Sequence, residues 1–198
     1  MLLLLLACAS YELANDAAYS TSLDCGYVVS DVAWDDASVL GVAPAALLAP
    51  HLGTFSADGL WADGTAVQVK ATIAPSGALP SFAAAEGGDG GTCGNQLLVP
   101  IVATLTTDDG AFDERFEVDW VVLPDDAQGP TTLPFGGQRE DDSLDGSFRE
   151  DDVAVSGDEE VQWLTVAASH GPGGLHGRVG ATVWSDGEDA GEGPILTW

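Results

Sequence analysis

The sequence predicts an all-β chain folded as one sandwich-like, immunoglobulin-like domain with long acidic loops. Three observations carry this expectation. Apolar residues alternate with polar ones at period two, glycine-rich turns interrupt the alternation at short intervals, and the one helical candidate covers only Pro44 to about Ala49. A chain of 198 residues is long enough for one well-buried core.

The first strand is expected from Tyr27 to Trp34. The short helix follows, with Pro44 suited to the first turn and Pro50 placed to stop it. Strands are expected around Phe55 and Trp61 and from Ala66 to Ile73, with Asp58-Gly59 and Asp63-Gly64 as turns. The glycine-rich stretch from Phe82 to Gly94 reads as a loop. The clearest alternation places Phe116, Val118, Trp120 and Val122 on one face, with Glu117 and Asp119 on the other. The β-branched run from Leu97 to Leu105 precedes it, and Asp108-Asp109-Gly110 lies between them. That arrangement predicts a hairpin, because Gly tolerates positive φ and Asp bonds its own backbone. Asp125 to Glu160 reads as a second long loop, with Val153 and Val155 suited to an edge strand. A final pair of strands is expected from Val161 to Ala168 and from Gly177 to Trp184, joined through Gly171, Pro172, Gly173 and Gly174.

Charge narrows the function classes. Thirty-two acidic residues against five basic ones give a formal charge of -27, and Lys70 is the only lysine. Such a surface repels nucleic acid and anionic headgroups and attracts divalent cations or basic partners. Nucleic-acid binding is therefore excluded. A solvated acidic surface suited to salty surroundings accounts for the same balance.

At the N-terminus an apolar run ends in Leu5-Leu6-Ala7-Cys8, followed by Ala9-Ser10. This resembles the lipobox of bacterial lipoproteins, with a Leu three places before the Cys and a small residue just before it. The resemblance implies cleavage before Cys8 and acylation of its thiol. It divides the chain into 1–8 as a truncated lipoprotein signal, 9–22 as a polar tether and 23–198 as the β domain. An export signal ordinarily carries a basic region and a longer apolar stretch, and neither precedes Cys8. The expectation is thus a start further upstream or a trimmed N-terminus. Ala9 rather than Asp after the Cys is similar to lipoproteins sent to an outer membrane, which implies an extracytoplasmic, lipid-anchored address at the outer membrane or cell surface. No other apolar run approaches the length needed to span a bilayer. Lipid would be the sole attachment.

With Cys8 acylated, Cys25 and Cys93 remain as an even pair in a compartment that permits disulfides, each just before an expected strand. A bridge between them would stabilise the fold by roughly 4 kcal/mol in the chain-entropy view. Two free thiols are the alternative. The run of Gly53-Thr54-Phe55, Trp61-Ala62-Asp63-Gly64, a strand led by Cys93 and the hairpin from Thr107 to Glu114 resembles uncharacterised secreted proteins of predatory or social proteobacteria. That resemblance covers about the middle third of the chain and implies export, without an activity.

The sharpest chemical pattern runs from Asp141 to Asp152. Against the calcium-loop template, Asp141, Ser143 and Asp145 take positions one, three and five, Gly146 supplies the turn, Ser147 offers its carbonyl, and Asp152 takes position twelve. Alternating oxygens converge on one point, as Ca2+ requires. Asp152 is shorter than the usual Glu, and glycines and prolines replace the flanking helices, so the expectation is an isolated loop on a β scaffold. Ten of the 21 residues from Glu140 to Glu160 are acidic, and a solvated loop fits them too.

His51, His170 and His176 are the only histidines. The six-residue gap between the last two matches no common metal-ligand spacing, so both are expected in a polar turn. Five of the six tryptophans, Trp34, Trp61, Trp120, Trp163 and Trp184, fall in or beside expected strands, where core packing is the usual fate; Trp198 does not. No Gly-x-Ser-x-Gly elbow, phosphate-cradling loop or basic patch is present. The expected function is therefore a non-enzymatic binding or structural module of the cell envelope, with Ca2+ as its one candidate cofactor and an envelope or extracellular partner. A secreted, carboxylate-dependent hydrolase or a calcium-binding surface protein are the alternatives.

Overall fold

The structure, a computed structural model, describes residues 26–86, 94–129, 131–140, 160–185 and 188–198. Ten strands carry the fold: β1 (Gly26–Asp31), β2 (Gly53–Trp61), β3 (Ala66–Pro75), β4 (Ser81–Glu86), β5 (Gln96–Thr107), β6 (Asp113–Val122), β7 (Leu133–Glu140), β8 (Glu160–Gly171), β9 (Gly174–Ser185) and β10 (Glu188–Thr197). One short helix, α1 (Pro44–Leu48), runs into a 3-10 turn at Ala49–His51, and a second 3-10 turn covers Asp126–Gln128. The all-β expectation holds.

All ladders are antiparallel and join the strands in a single sheet of order β1-β4-β5-β3-β2-β10-β9-β8-β7, with β6 on β5. Among the described residues the pairing draws no division into two sheets. One edge of β5 is shared, with β4 alongside Gln96–Leu98 and β3 alongside Ile101–Thr107, while β6 follows the other edge. Pro100, which has no N–H to donate, falls at the break between β4 and β3, where a strand tolerates it. The run from β6 to β7 then curls until its two ends pack side by side, with the Phe116 and Phe135 rings 6.4 Å apart.

Period-two patterning selects the inner face. Val67, Val69, Ala71 and Ile73 of β3 are buried while Lys70 is exposed, and Phe116, Val118, Trp120 and Val122 of β6 are buried as the alternation predicts. Leu97, Val99, Ile101, Ala103 and Leu105 of β5 complete the centre of the core. Both expected hairpins form. The first is closed by the Thr107 N–H donating to the Phe112 carbonyl (2.9 Å) and the Gly110 N–H to the Thr107 carbonyl (3.1 Å), with Gly110 at φ +74°. Asp108 ties the turn to β3 by accepting the Gln68 N–H (2.9 Å) and donating its own N–H to the Gln68 carbonyl (3.0 Å).

Several segments differ from expectation. Asp58-Gly59 lies inside β2, paired with Gln68 and Val67, and is not a turn. Glycine serves there for close approach: a Cβ on Gly59 would lie 3.0 Å from the Thr197 carbonyl of β10. Asp63-Gly64 is the turn, with Gly64 at φ +81°. The α-helix ends at Leu48, close to the expected Ala49, and Pro50 sits within the 3-10 turn that follows, where a missing N–H is tolerated. β4 covers the start of the loop expected from Phe82, and the one expected from Asp125 contains β7, where Gly136 has φ +138° and a Cβ would overlap the Val166 carbonyl, so both conformation and space call for glycine. The chain end also forms a strand, β10, whose register shifts twice against β9. Trp198 follows it: its backbone exchanges two 3.0 Å hydrogen bonds with Gly177, and its indole lies where a Gly177 side chain would be.

Candidate functional site

The connector before β2 delivers one half of the site. Leu47 and Leu48 of α1 are buried, and the 3-10 turn that continues from them rotates His51 inward, leaving it 2% exposed. The other half comes from the end of β8. Its inward face reads Leu164, Val166, Ala168 and then His170, which is 8% exposed, because β8 continues to a tight Gly171–Gly174 turn with Gly174 at φ +97°. His176 has the opposite parity, on the outer face of β9, and its Nε2–H donates to the Gly173 carbonyl at 2.8 Å. The expected polar turn thus holds for His176 and fails for His170.

The two buried imidazoles meet, although 119 residues separate them. Their Nδ1 atoms are 3.0 Å apart, so one ring donates an N–H to the lone pair of the other. His51 Nε2 is 3.1 Å from the Thr131 hydroxyl. Phe55 of β2 stacks on His170 at 3.6 Å, and Trp120 of β6 meets His51 edge to face at 5.3 Å. Burial holds both imidazoles below their ordinary value of 6.5; for His51 the neighbouring His170 lowers it further, against a backbone hydrogen bond with His170 that raises it. The pair is uncharged at neutral pH.

A cleft of about 490 Å³ opens beside this pair. The end of β6 contributes Trp120, the 3-10 turn and its two flanking residues contribute Asp126, Asp125 and Gly129, and the approach to β7 contributes Thr131 and Thr132. Trp120 and Thr131 therefore touch both the cleft and His51. Gln128 anchors the turn by donating to the Leu40 carbonyl at 3.2 Å. The arrangement offers carboxylate and hydroxyl oxygens next to an aromatic wall, backed by a neutral base. A second, more apolar groove of about 290 Å³ lies between β6 and β7–β9, lined by Val118, Phe135, Ala167, His176 and Gly177.

Of the residues singled out from sequence, Cys8, Cys25, Cys93, Asp141, Ser143, Asp145, Ser147 and Asp152 lie outside the described residues, as do Val153 and Val155. Among the described residues, no three His, Cys, Asp or Glu side chains form a metal-binding group, and no helix is long and apolar enough to cross a membrane. Trp120 packs in the core at 3% exposure, and Trp34, Trp61 and Trp198 pack against it. No protein-family model matches the chain, and no curated protein or solved structure is significantly similar to it.

Proposed function

We propose that this chain is an exported, lipid-tethered β module of the bacterial envelope that binds a small cationic ligand in the cleft between β6 and β7. The observation that carries the binding role is the composition of that cleft. Asp125, Asp126, Thr131 and Thr132 supply hard oxygens and hydrogen-bond acceptors beside the Trp120 wall, in a chain of strongly negative charge. Thermal denaturation of the full chain with and without millimolar Ca2+, and separately with a small diamine, tests it. The expected result is a stabilising shift that Asp125→Asn with Asp126→Asn removes. If the shift instead disappears only with Asp141→Asn and Asp145→Asn, binding belongs to the acidic loop; no shift with either probe ends the cation reading.

The address rests on Leu5-Leu6-Ala7-Cys8. Labelling with a palmitate analogue is expected in cells expressing the wild type and lost in Cys8→Ser. A Cys25–Cys93 disulfide belongs to the same reading, supported by the even pair that acylation of Cys8 leaves in a compartment that permits disulfides. Both thiols should resist alkylation until a reductant is added.

One observation favours a hydrolase as the second reading. Thr131 hydroxyl, His51 and His170 stand in the order of nucleophile, base and orienting group used in acyl transfer. Turnover of an activated ester that Thr131→Val abolishes would favour catalysis over binding.

A further inference from the structure

We propose that His51 and His170 form an acid-released latch that holds the connector 44–52 and the cleft-wall residues Gly129, Thr131 and Thr132 against β8 at neutral pH and frees both in mild acid. The pair is the polar tie between three segments distant in sequence, reaching from the 3-10 turn at Ala49–His51 to the end of β8 through the imidazoles and to the cleft wall through Thr131. Protonation acts on this tie in two steps. A first proton is accommodated: a cationic His51 still donates from Nδ1 to the His170 lone pair and from Nε2 to the Thr131 oxygen. A second proton removes the only lone pair between the rings and places two positive charges 3.0 Å apart in a buried site. The contact cannot persist in that state.

Among the described residues, the surroundings of the pair supply no compensating charge, although the chain has 32 acidic residues. The connector from Pro44 to Leu52 carries no ionisable side chain besides His51. β2 presents Phe55, β6 presents Trp120 with Asp119 exposed on its outer face, the approach to β7 presents Thr131 and Leu133, and β9 pairs Leu175 with His170 while His176 faces outward. Asp125 and Asp126 are exposed on the far wall of the cleft. Among the described residues, no carboxylate contributes to the proton affinity of either ring.

The latch rests on the cleft's binding role only for its consequence, ligand release in acid, so it is tested without ligand. Hydrogen exchange of the full chain at pH 7 and pH 5, corrected for intrinsic rates, is expected to show protection in 44–52 and at Gly129 falling by about tenfold or more, with β5 and β6 unchanged. Replacing both rings by apolar groups, His51→Phe with His170→Leu, should leave protection in these segments independent of pH. Ring-nitrogen NMR of the wild type keeps the proposal open to refutation should that variant not fold: both rings should gain protons over the interval in which protection is lost. Unchanged protection between pH 7 and 5, or loss of protection while both rings stay neutral, would overturn the latch. Ligand binding that fails at both pH values while protection still falls would count against the cleft's role alone.

Discussion

The His51–His170 pair and the Asp109 corner are both polar clusters at strand ends, and they are stabilised by opposite means. At Asp109, partial burial pushes the carboxyl up, but hydrogen bonds from Thr107, the Ala111 N–H and the Trp61 indole (2.9 Å) outweigh it and hold the group below its ordinary 3.8. The charge there is stabilised by donors. At the histidine pair one backbone hydrogen bond with His170 favours a charge on His51, and burial together with the neighbouring ring outweighs it. One cluster therefore keeps its charge as pH falls below 3.8, whereas the other loses stability as pH falls below 6.5.

The largest effect is expected from removing one imidazole and leaving its partner. His51→Ala opens a cavity among Trp120, Phe55 and His170 and deprives buried His170 and half-buried Thr131 of their partner. A loss of about 2–4 kcal/mol in urea unfolding at pH 7.5 is expected. His51→Phe with His170→Leu should cost less than His51→Ala alone, since an apolar pair leaves no orphaned ring. The reverse order would mean that the hydrogen bonds themselves carry the stability.

Acid comes next. A ring held neutral in the fold and free to protonate when unfolded makes the unfolded chain bind more protons below pH 6.5. Stability is then fully present above that value and declines as pH falls toward the folded-state values. The slope is up to about 1.4 kcal/mol per pH unit for each ring. Asp109 has the opposite sign of shift and a separate window: its contribution is present above 3.8 and is lost only as pH falls through its lower folded value. Urea midpoints between pH 7.5 and 5 should therefore fall in the wild type and stay level in His51→Phe with His170→Leu. Asp109→Ala, removing exposed hydrogen bonds only, should cost about 0.5–1 kcal/mol and leave the slope above pH 5 untouched.

How much of this was legible follows from the kind of signal each element leaves. β3, β5 and β6 carry apolar alternation along most of their length, and β8 and β9 carry it in shorter runs such as Leu164, Val166 and Ala168, so periodicity finds them. β4, β7 and β10 do not, because their side-chain signal is replaced by Ala, Gly and Pro, residues that serve close backbone approach, as at Gly136. Those strands owe their place to neighbouring ladders, which a single sequence does not display. The alternation Leu164, Val166, Ala168 does continue to His170, so the inward direction of that ring was readable. Glycine-rich flanks masked it by suggesting that the strand had already ended. Its partner, 119 residues away, left no local signal.

The smallest effect belongs to His176, and it is the control that gives the comparison its edge. His176 shares with His170 the same turn and residue type, yet one step of strand parity places it outside, where its ring reaches only the Gly173 carbonyl at 2.8 Å and water replaces that contact readily. His176→Ala is expected to change stability by no more than about 0.5 kcal/mol. It should leave the decline between pH 7.5 and 5 at its wild-type steepness. Were it to flatten that decline, acid sensitivity would reside in the exposed turn, and the buried pair would be a packing feature without a role in pH response.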